Sequence, residues 1–93
     1  MPDRWTVAIR FPAQRDLARL PANVVDAALR FVDGPLAENP HRVAKRLSRV
    51  LAGLNSGRVG SDFRILVRID DETRTVHVYR VAHRANVYRA PPR

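Results

Sequence analysis

The chain has 93 residues, a length that fits one domain built around a single apolar core. It contains no cysteine, which excludes disulfides and thiolate metal sites and is compatible with a reducing cytoplasm. No apolar run approaches the roughly 20 residues that cross a bilayer, so we expect a cytoplasmic protein with no membrane segment.

The net charge of +8 is concentrated in the second half of the chain. Residues 1–40 contain five Arg and five acidic residues, whereas residues 41–93 contain twelve Lys or Arg and four acidic residues. Sixteen of the seventeen cations are Arg, whose planar guanidinium suits bidentate contacts with phosphate. This asymmetry predicts a protein that binds a polyanion, most simply a nucleic acid.

The first half of the chain predicts a strand followed by two helices. Apolar residues alternate over residues 4–11, which is typical of a strand. Helical spacing then predicts a short helix over residues 12–20 and a second helix from residue 21 that bends or ends near residue 33, before Gly34-Pro35. Residues 41–49 are basic and only weakly periodic, which predicts a loop or a helical turn.

The second half predicts three more strands. One lies within residues 51–59, and residues 62–69 and 75–82 form a hairpin around the acidic turn at residues 70–72. The order β-α-α-β-β-β predicts an α+β fold, with a small antiparallel β-sheet and both N-terminal α-helices packed on one face. The later strands carry most of the arginines, so we expect the uncovered face to be basic.

Sequence motifs for metal or acyl-transfer chemistry are missing. His41, His77 and His83 lack metal-ligand spacing, and the chain has no P-loop, H-E-x-x-H or G-x-S-x-G pattern. Gly57 and Gly60 indicate a turn or a bulge rather than a nucleotide-binding loop. We therefore expect no metal site and no cofactor.

One group of side chains is suited to RNA cleavage, and we expect it to converge at one end of the sheet: Arg58, Arg64, His83, Arg84 and Tyr88. When the substrate's own 2′-hydroxyl attacks, the protein must supply a base, an acid, cations for the phosphorane and a surface that holds the nucleobase. Arginines supply the cations and an aromatic ring stacks on a base. His83 is either an acid or base or merely a cap of the strand end, and Tyr88 either stacks on a base or packs the tail onto the sheet.

Further cations are candidate RNA-binding residues: Lys45, Arg46, Arg49 and Arg68. Arg68 and Arg80 lie on predicted strands, where we expect solvated positions or phosphate tethers rather than a part in the reaction.

Five motifs in chain order carry a resemblance to a known family: A-x-R-D-L-x-R-L at 13–20, G-P-L-x-x-N-P-H-R at 34–42, A-G-L-N-S-G-R-V-G at 52–60, D-F-R at 62–64 and H-R-A-N-V-Y-R at 83–89. In this order the chain resembles the RelE/ParE superfamily of bacterial toxins, and the RelE branch most closely. The resemblance covers nearly the whole chain and implies a single RelE-like toxin domain over residues 1–93, with the fold predicted above.

The resemblance also implies an activity and partners. It implies the toxin of a type II toxin-antitoxin system, an mRNA endoribonuclease that cuts messenger RNA, usually on the ribosome, and so inhibits translation. It implies silencing by an acidic, RelB-like antitoxin encoded beside it, with operator DNA bound only through the antitoxin complex. Two alternatives stay open: a ParE-like inhibitor of DNA gyrase, and a degenerate toxin that binds its partners without cleaving RNA.

The family motifs assign roles to several of the candidate residues. Arg58 and Arg64 match the first and last basic positions of R-x-G-D-Y-R. Arg84 and Tyr88 match H-R-x-x-x-Y, where a cation acts on the phosphate and leaving group and the ring helps to hold the base, and Lys45 or Arg46 matches a basic residue ahead of the second strand. The chain departs from the first motif in two ways, because Ser61 is an extra residue between the two arginines and Phe63 replaces the usual Tyr.

Overall fold

A computed structural model of the chain describes residues 4–88, so Arg89 of the last motif lies outside the described residues. The elements follow one another as β1 (Thr6–Ile9), α1 (Phe11–Arg19), α2 (Ala22–Phe31), a π-helical turn (Val32–Leu36), α3 (Pro40–Val43), β2 (Ala44–Arg46), a 3-10 turn (Arg49–Leu51), β3 (Asn55–Val59), β4 (Phe63–Asp70) and β5 (Thr75–His83). The predicted α+β fold, with helices packed on a small sheet, is confirmed.

The sheet has five strands in the order β1-β5-β4-β3-β2. Strands β2 to β5 form an antiparallel meander, whereas β1 pairs with β5 in parallel. The prediction of an entirely antiparallel sheet is therefore corrected at β1, because a strand joined to its neighbour by a long connection is not forced to be antiparallel as a hairpin strand is. Strand β2 was not predicted, since a strand of three residues is too short to show an alternating pattern.

The second helix changes at the place where the sequence predicts that it bends or ends, because α2 ends at Phe31 and a π-helical turn begins at Val32. Pro35 has no N–H to donate to the carbonyl one turn earlier, and the chain widens here into the π-helical turn rather than unwinding. The helical backbone continues to Leu36, which is fully buried. This continuation adds one more apolar side chain to the layer that covers the sheet.

Helices α1 and α2 cover one face of the sheet. Apart from Leu36, the buried core between the helices and the sheet consists of small and β-branched side chains: Ala13, Ala28, Val32, Ala44, Val59, Ile65, Val67, Val76, Val78 and Val81. Side chains alternate along β3 and β4, so residues 56, 58, 64 and 66 point away from the helices. This second face carries the later arginines, as the sequence predicts.

Strand β5 contains a β-bulge that decides which of its side chains face the helices. The pairing of β4 with β5 skips Tyr79 between Leu66 and Val67. One extra residue reverses the alternation in the rest of the strand. Val81 consequently enters the core beside the helices, and the residues that follow it also change faces.

Asp16 of α1 holds β5 at the bulge, beyond the end of β1. Its carboxylate accepts hydrogen bonds from Val81 N–H at 2.9 Å and from Arg80 Nε at 2.7 Å. The Asp16 and Arg80 side chains are only 16% and 22% exposed, so this ion pair is largely shielded from water. Helix α1 therefore satisfies backbone hydrogen bonding where the sheet lacks a neighbouring strand.

Candidate nucleic-acid interface

An open cleft of about 630 Å³ lies on the face of the sheet that α1 and α2 leave uncovered. Residues of β2 and β3 form most of its wall. The lining consists of Val43, Lys45, Arg46, Leu47, Ser56, Gly57, Arg58, Arg64 and Tyr88. None of these residues is acidic and four are cationic, so the cleft attracts anions.

Arg58 and Arg64 face each other across β3 and β4. They are paired in register, and the pairing of these two strands shows no shift. Like charges directly opposite each other destabilise a sheet, and among residues 4–88 no carboxylate forms an ion pair with either arginine. The two side chains therefore leave the same face of the sheet from neighbouring strands, where a bound phosphate would offset their mutual repulsion.

Lys45 and Arg46 extend the positive charge along the exposed edge of the sheet. Both lie on β2, both are exposed, and Lys45 is paired in register with Ser56 of β3. Compact and planar cations thus lie side by side along one wall of the cleft. The structure brings together these two predicted RNA-binding residues and the predicted pair Arg58 and Arg64.

The segment after β5 turns back toward the cleft. The backbone N–H of Arg84 donates to the Asp62 carbonyl at 2.8 Å, and the N–H groups of Asn86 and Val87 donate to the His83 carbonyl at 2.8 and 3.0 Å. Val87 is fully buried, whereas Tyr88 is 39% exposed and lines the cleft. Tyr88 therefore presents part of its ring next to the paired arginines, as predicted.

His83 does not join this group. It pairs in register with Phe63 on the helix side of the sheet, where the two rings lie edge to face with centroids 5.5 Å apart. Its Nδ1 accepts a hydrogen bond from Ala85 N–H at 3.1 Å, which caps the end of the strand. The expected convergence is thus corrected for His83, because the bulge in β5 moves it to the opposite face.

Arg84 is also outside the cleft lining. Its side chain is 61% exposed and its Nε lies 4.0 Å from Asp62 Oδ1 in the turn between β3 and β4. The distance is long and the pair is exposed, so it restrains the guanidinium only weakly. Arg84 lies two residues beyond Ala82, the cross-strand partner of Arg64.

The extra residue Ser61 is absorbed in the turn between β3 and β4. Val59 and Phe63 form the last pair of the hairpin, and Gly60 takes a left-handed backbone conformation with φ of 63°. Ser61 is exposed and lies in the loop between them. The insertion therefore leaves Arg58 and Arg64 opposite each other.

The remaining predicted RNA-binding residues lie outside the cleft. Arg68 lies on the same face as Arg64, two repeats of the pleat further along β4, and pairs with His77 of β5. Arg49 lies in the 3-10 turn before β3, in a left-handed conformation with φ of 60°. Ser56 lines the cleft although nothing in its sequence context indicated a functional position.

Within residues 4–88, no group of three His, Cys, Asp or Glu side chains is placed to hold a metal ion. Over the same part of the chain, each helix is too short or too polar to span a membrane.

Comparison with known proteins identifies relatives of this chain. The family model described as the ParE toxin of the type II toxin-antitoxin system, parDE, matches residues 7–88. Toxin RelG of Mycobacterium tuberculosis is 47% identical over 85 residues, covering 91% of this chain and 97% of that protein. Toxin RelE of the same organism is 45% identical over 88 residues, covering 95% and 90%.

Solved structures agree with the sequence comparison. The toxin-antitoxin complex RelBE2 of Mycobacterium tuberculosis matches with a TM-score of 0.82 and 44% identity, covering 87% of this chain and 99% of that chain. The isolated E. coli RelE toxin matches with a TM-score of 0.68 at 19% identity, covering 91% and 92%, and supports the fold alone. The resemblance to the RelE/ParE superfamily is confirmed, and the chain belongs to this family of type II toxin-antitoxin toxins.

Proposed function

We propose that this protein is a metal-independent mRNA endoribonuclease that cuts messenger RNA on the ribosome and thereby inhibits translation. The main support is the pair Arg58 and Arg64, which face each other in register on the open sheet face without a carboxylate partner among residues 4–88. Tyr88 lines the same cleft. This arrangement suits a phosphate and the nucleobase next to it.

The proposed reaction is a transesterification within the RNA. The 2′-hydroxyl loses its proton and attacks the adjacent phosphorus, the bond to the 5′-oxygen breaks, and that oxygen takes up a proton. The products are a 2′,3′-cyclic phosphate and a 5′-hydroxyl. Arg58 and Arg64 stabilise the charge of the phosphorane, while Tyr88 holds the nucleobase in the geometry for attack.

The roles of Arg84 and His83 differ in this proposal. Arg84 is exposed and tethered weakly to Asp62, so its guanidinium can swing toward a bound phosphate and leaving group. His83 takes no step in this proposal, because its ring contacts Phe63 on the other face of the sheet and its Nδ1 caps the strand end. Lys45 and Arg46 hold the RNA backbone along the cleft wall.

Cleavage in a translating extract tests this proposal. Mapping of mRNA 5′ ends should reveal new ends that carry a 5′-hydroxyl and appear also with a zinc chelator at constant Mg²⁺. Arg64→Ala should slow cleavage about 100-fold, the usual loss for one group that stabilises a transition state. Arg30→Ala is the matched control, because this arginine is 80% exposed on α2 and pairs with Asp26 away from the cleft.

The proposal fails if wild-type protein leaves mRNA intact or if Arg64→Ala and Arg30→Ala cleave equally well. New ends that carry a 5′-phosphate would exclude attack by the 2′-hydroxyl. The match to the ParE family model makes inhibition of DNA gyrase the second candidate. Loss of plasmid supercoiling by gyrase, with mRNA unchanged, would support that candidate instead.

We also propose that a cognate antitoxin covers the cleft. The structural match to a chain of the RelBE2 complex supports such a partner, and four cations in the cleft lining favour an acidic one. We infer that this RelB-like partner is encoded beside the toxin and brings the complex to operator DNA. Co-expression with the adjacent reading frame should yield a stable complex, and Lys45→Glu should weaken it; harmless accumulation of the toxin alone would contradict the inference.

A further inference from the structure

We propose that Ser56 is a positioning residue that fixes the ring of Tyr88 in the cleft, an inference that rests on the proposed function. Ser56 Oγ and Tyr88 Oη share a hydrogen bond of 2.7 Å between residues 32 positions apart in sequence. Both side chains line the cleft together with Arg58 and Arg64. The bond therefore joins the C-terminal segment to the strand that carries the first of the two arginines.

Tyr88 needs such an anchor because the position of its backbone does not fix the orientation of its ring. Hydrogen bonds to His83 hold the preceding residues, and Val87 is fully buried. The Tyr88 side chain is 39% exposed and lies outside the buried core, so packing restrains its χ1 less than that of a core residue. Within the described residues its hydrogen bond is to Ser56, which selects one of its rotamers.

Ser56 is a rigid point of attachment. It lies on β3, between two strands, paired with Lys45 of the edge strand β2 on one side and with Leu66 of β4 on the other. The next residue, Gly57, is buried against Phe31 of α2, so the strand cannot move freely at this point. A short side chain on a fixed strand places its hydroxyl with little freedom.

The consequence for the reaction is control of the nucleobase. When the Tyr88 ring is held in one rotamer, it keeps the nucleobase next to the scissile phosphate. When the ring samples several rotamers, the nucleobase is correctly placed for only part of the time. A hydrogen bond between two neutral hydroxyl groups at an exposed site is a modest restraint, because water competes for both groups. Its loss should therefore lower the cleavage rate about three- to tenfold, much less than loss of an arginine.

A double-mutant cycle on cleavage kinetics tests the inference. Ser56→Ala and Tyr88→Phe should each lower kcat/KM about three- to tenfold, and the double variant should lose no more than either single variant. Ser56→Thr, which keeps the hydroxyl, should restore most of the rate. Ser61→Ala is the matched control, because this serine is exposed in the turn and lies outside the cleft lining.

A second readout does not depend on cleavage. The chain has two tyrosines, Tyr79 and Tyr88, so fluorotyrosine incorporated into a Tyr79→Phe background reports position 88 alone by fluorine NMR. Ser56→Ala should shift this resonance, whereas Ser56→Thr and Ser61→Ala should leave it near its original position. If wild type cleaves no RNA while the resonance still shifts, the proposed function fails and the hydrogen bond stands.

Two outcomes would overturn the inference. Additive losses in the double variant would mean that Ser56 and Tyr88 act independently. The other outcome is that Ser56→Ala leaves both the resonance and kcat/KM unchanged while Tyr88→Phe strongly lowers kcat/KM. This result would mean that the tyrosine hydroxyl contacts the RNA and not the serine.

Discussion

Gly57 is the position where one added methyl group should disturb both the core and the cleft. It lies on β3 with its α-carbon facing the helices, paired with Ala44 and Ile65. A β-carbon built there would lie 2.9 Å from Phe31 Cζ and 3.1 Å from Ile65 Cγ2. Carbon atoms do not approach so closely, so Gly57→Ala must displace the phenyl ring, the strand or both.

The cost of this displacement is that of overpacking a core. Adding a methylene-sized group to a well-packed site costs typically 1–3 kcal/mol, and we expect about 2 kcal/mol here because the contact is with the far end of a ring. For a domain of this size, 1 kcal/mol lowers Tm by roughly 4–8 °C. We therefore expect Gly57→Ala to unfold roughly 10 °C below wild type.

Gly57→Ala should also alter the cleft. Ser56 and Arg58 flank Gly57 on β3, and their side chains point to the cleft side of the sheet. Side chains alternate along a strand, so a shift of β3 away from Phe31 moves both neighbours on the opposite face. Cleavage by Gly57→Ala should fall even at a temperature where the variant is fully folded. Circular dichroism melting and mRNA cleavage at that temperature measure the two effects separately.

Two further variants distinguish this mechanism from a general intolerance of alanine. Gly34→Ala adds the same methyl group where no non-neighbouring atom lies within 4 Å, and its stability should change by less than about 1 kcal/mol. Phe31→Leu in the Gly57→Ala background makes room and should recover part of the lost stability. If Gly57→Ala melts no lower than Gly34→Ala, or Phe31→Leu only adds to the loss, the assumed contact is wrong.

Three other predictions concern single charged groups. Asp16→Ala should cost about 2 kcal/mol in urea unfolding, because it removes the shielded carboxylate that accepts hydrogen bonds from Arg80 Nε and Val81 N–H. The exposed Asp26→Ala should cost less than about 0.5 kcal/mol. Hydrogen bonds from Thr73 lower the pKa of Asp70 in the folded protein. The ionised carboxylate therefore stabilises the fold above the pKa that Asp70 has in the unfolded chain, and this contribution is lost as the pH falls through its folded pKa. The difference in Tm between wild type and Asp70→Asn should accordingly become smaller below about pH 4. His83→Gln should leave the pH profile of cleavage unchanged, and loss of one limb of that profile would show that the imidazole is the acid or base.

The fold was predictable wherever a segment was long enough to show its period. The strand at residues 6–9, the two helices and the hairpin of β4 and β5 all carry clear alternating or helical patterns. Strand β2 has three residues and no pattern of its own; it forms because β3 offers it a hydrogen-bonding edge. The continuation of the second helix past Pro35 depends on tertiary packing of Leu36, which local propensity does not contain.

The candidate site was predictable in its charges and less so in its geometry. Charge asymmetry and strand alternation place Arg58 and Arg64 on one exposed face, because both lie on regular strands joined by a short turn. Ser56 gave no signal, since a serine on a strand has no distinctive pattern until its partner is known. The partner, Tyr88, reaches it only through the turn at residues 84–88.

The expectation that His83 would lie beside the arginines of the cleft is wrong, and the β-bulge at Tyr79 is the cause. Regular alternation from Val76 and Val78 would place residue 83 on the cleft side, whereas the extra residue sends Val81 into the core and His83 to the helix face. The bulge lies where β1 has ended and Asp16 accepts the Val81 N–H. An acidic side chain on α1 thus helps to set which residues of β5 face the cleft, and the segment that carries Tyr88 to the cleft begins from the strand end fixed in this way.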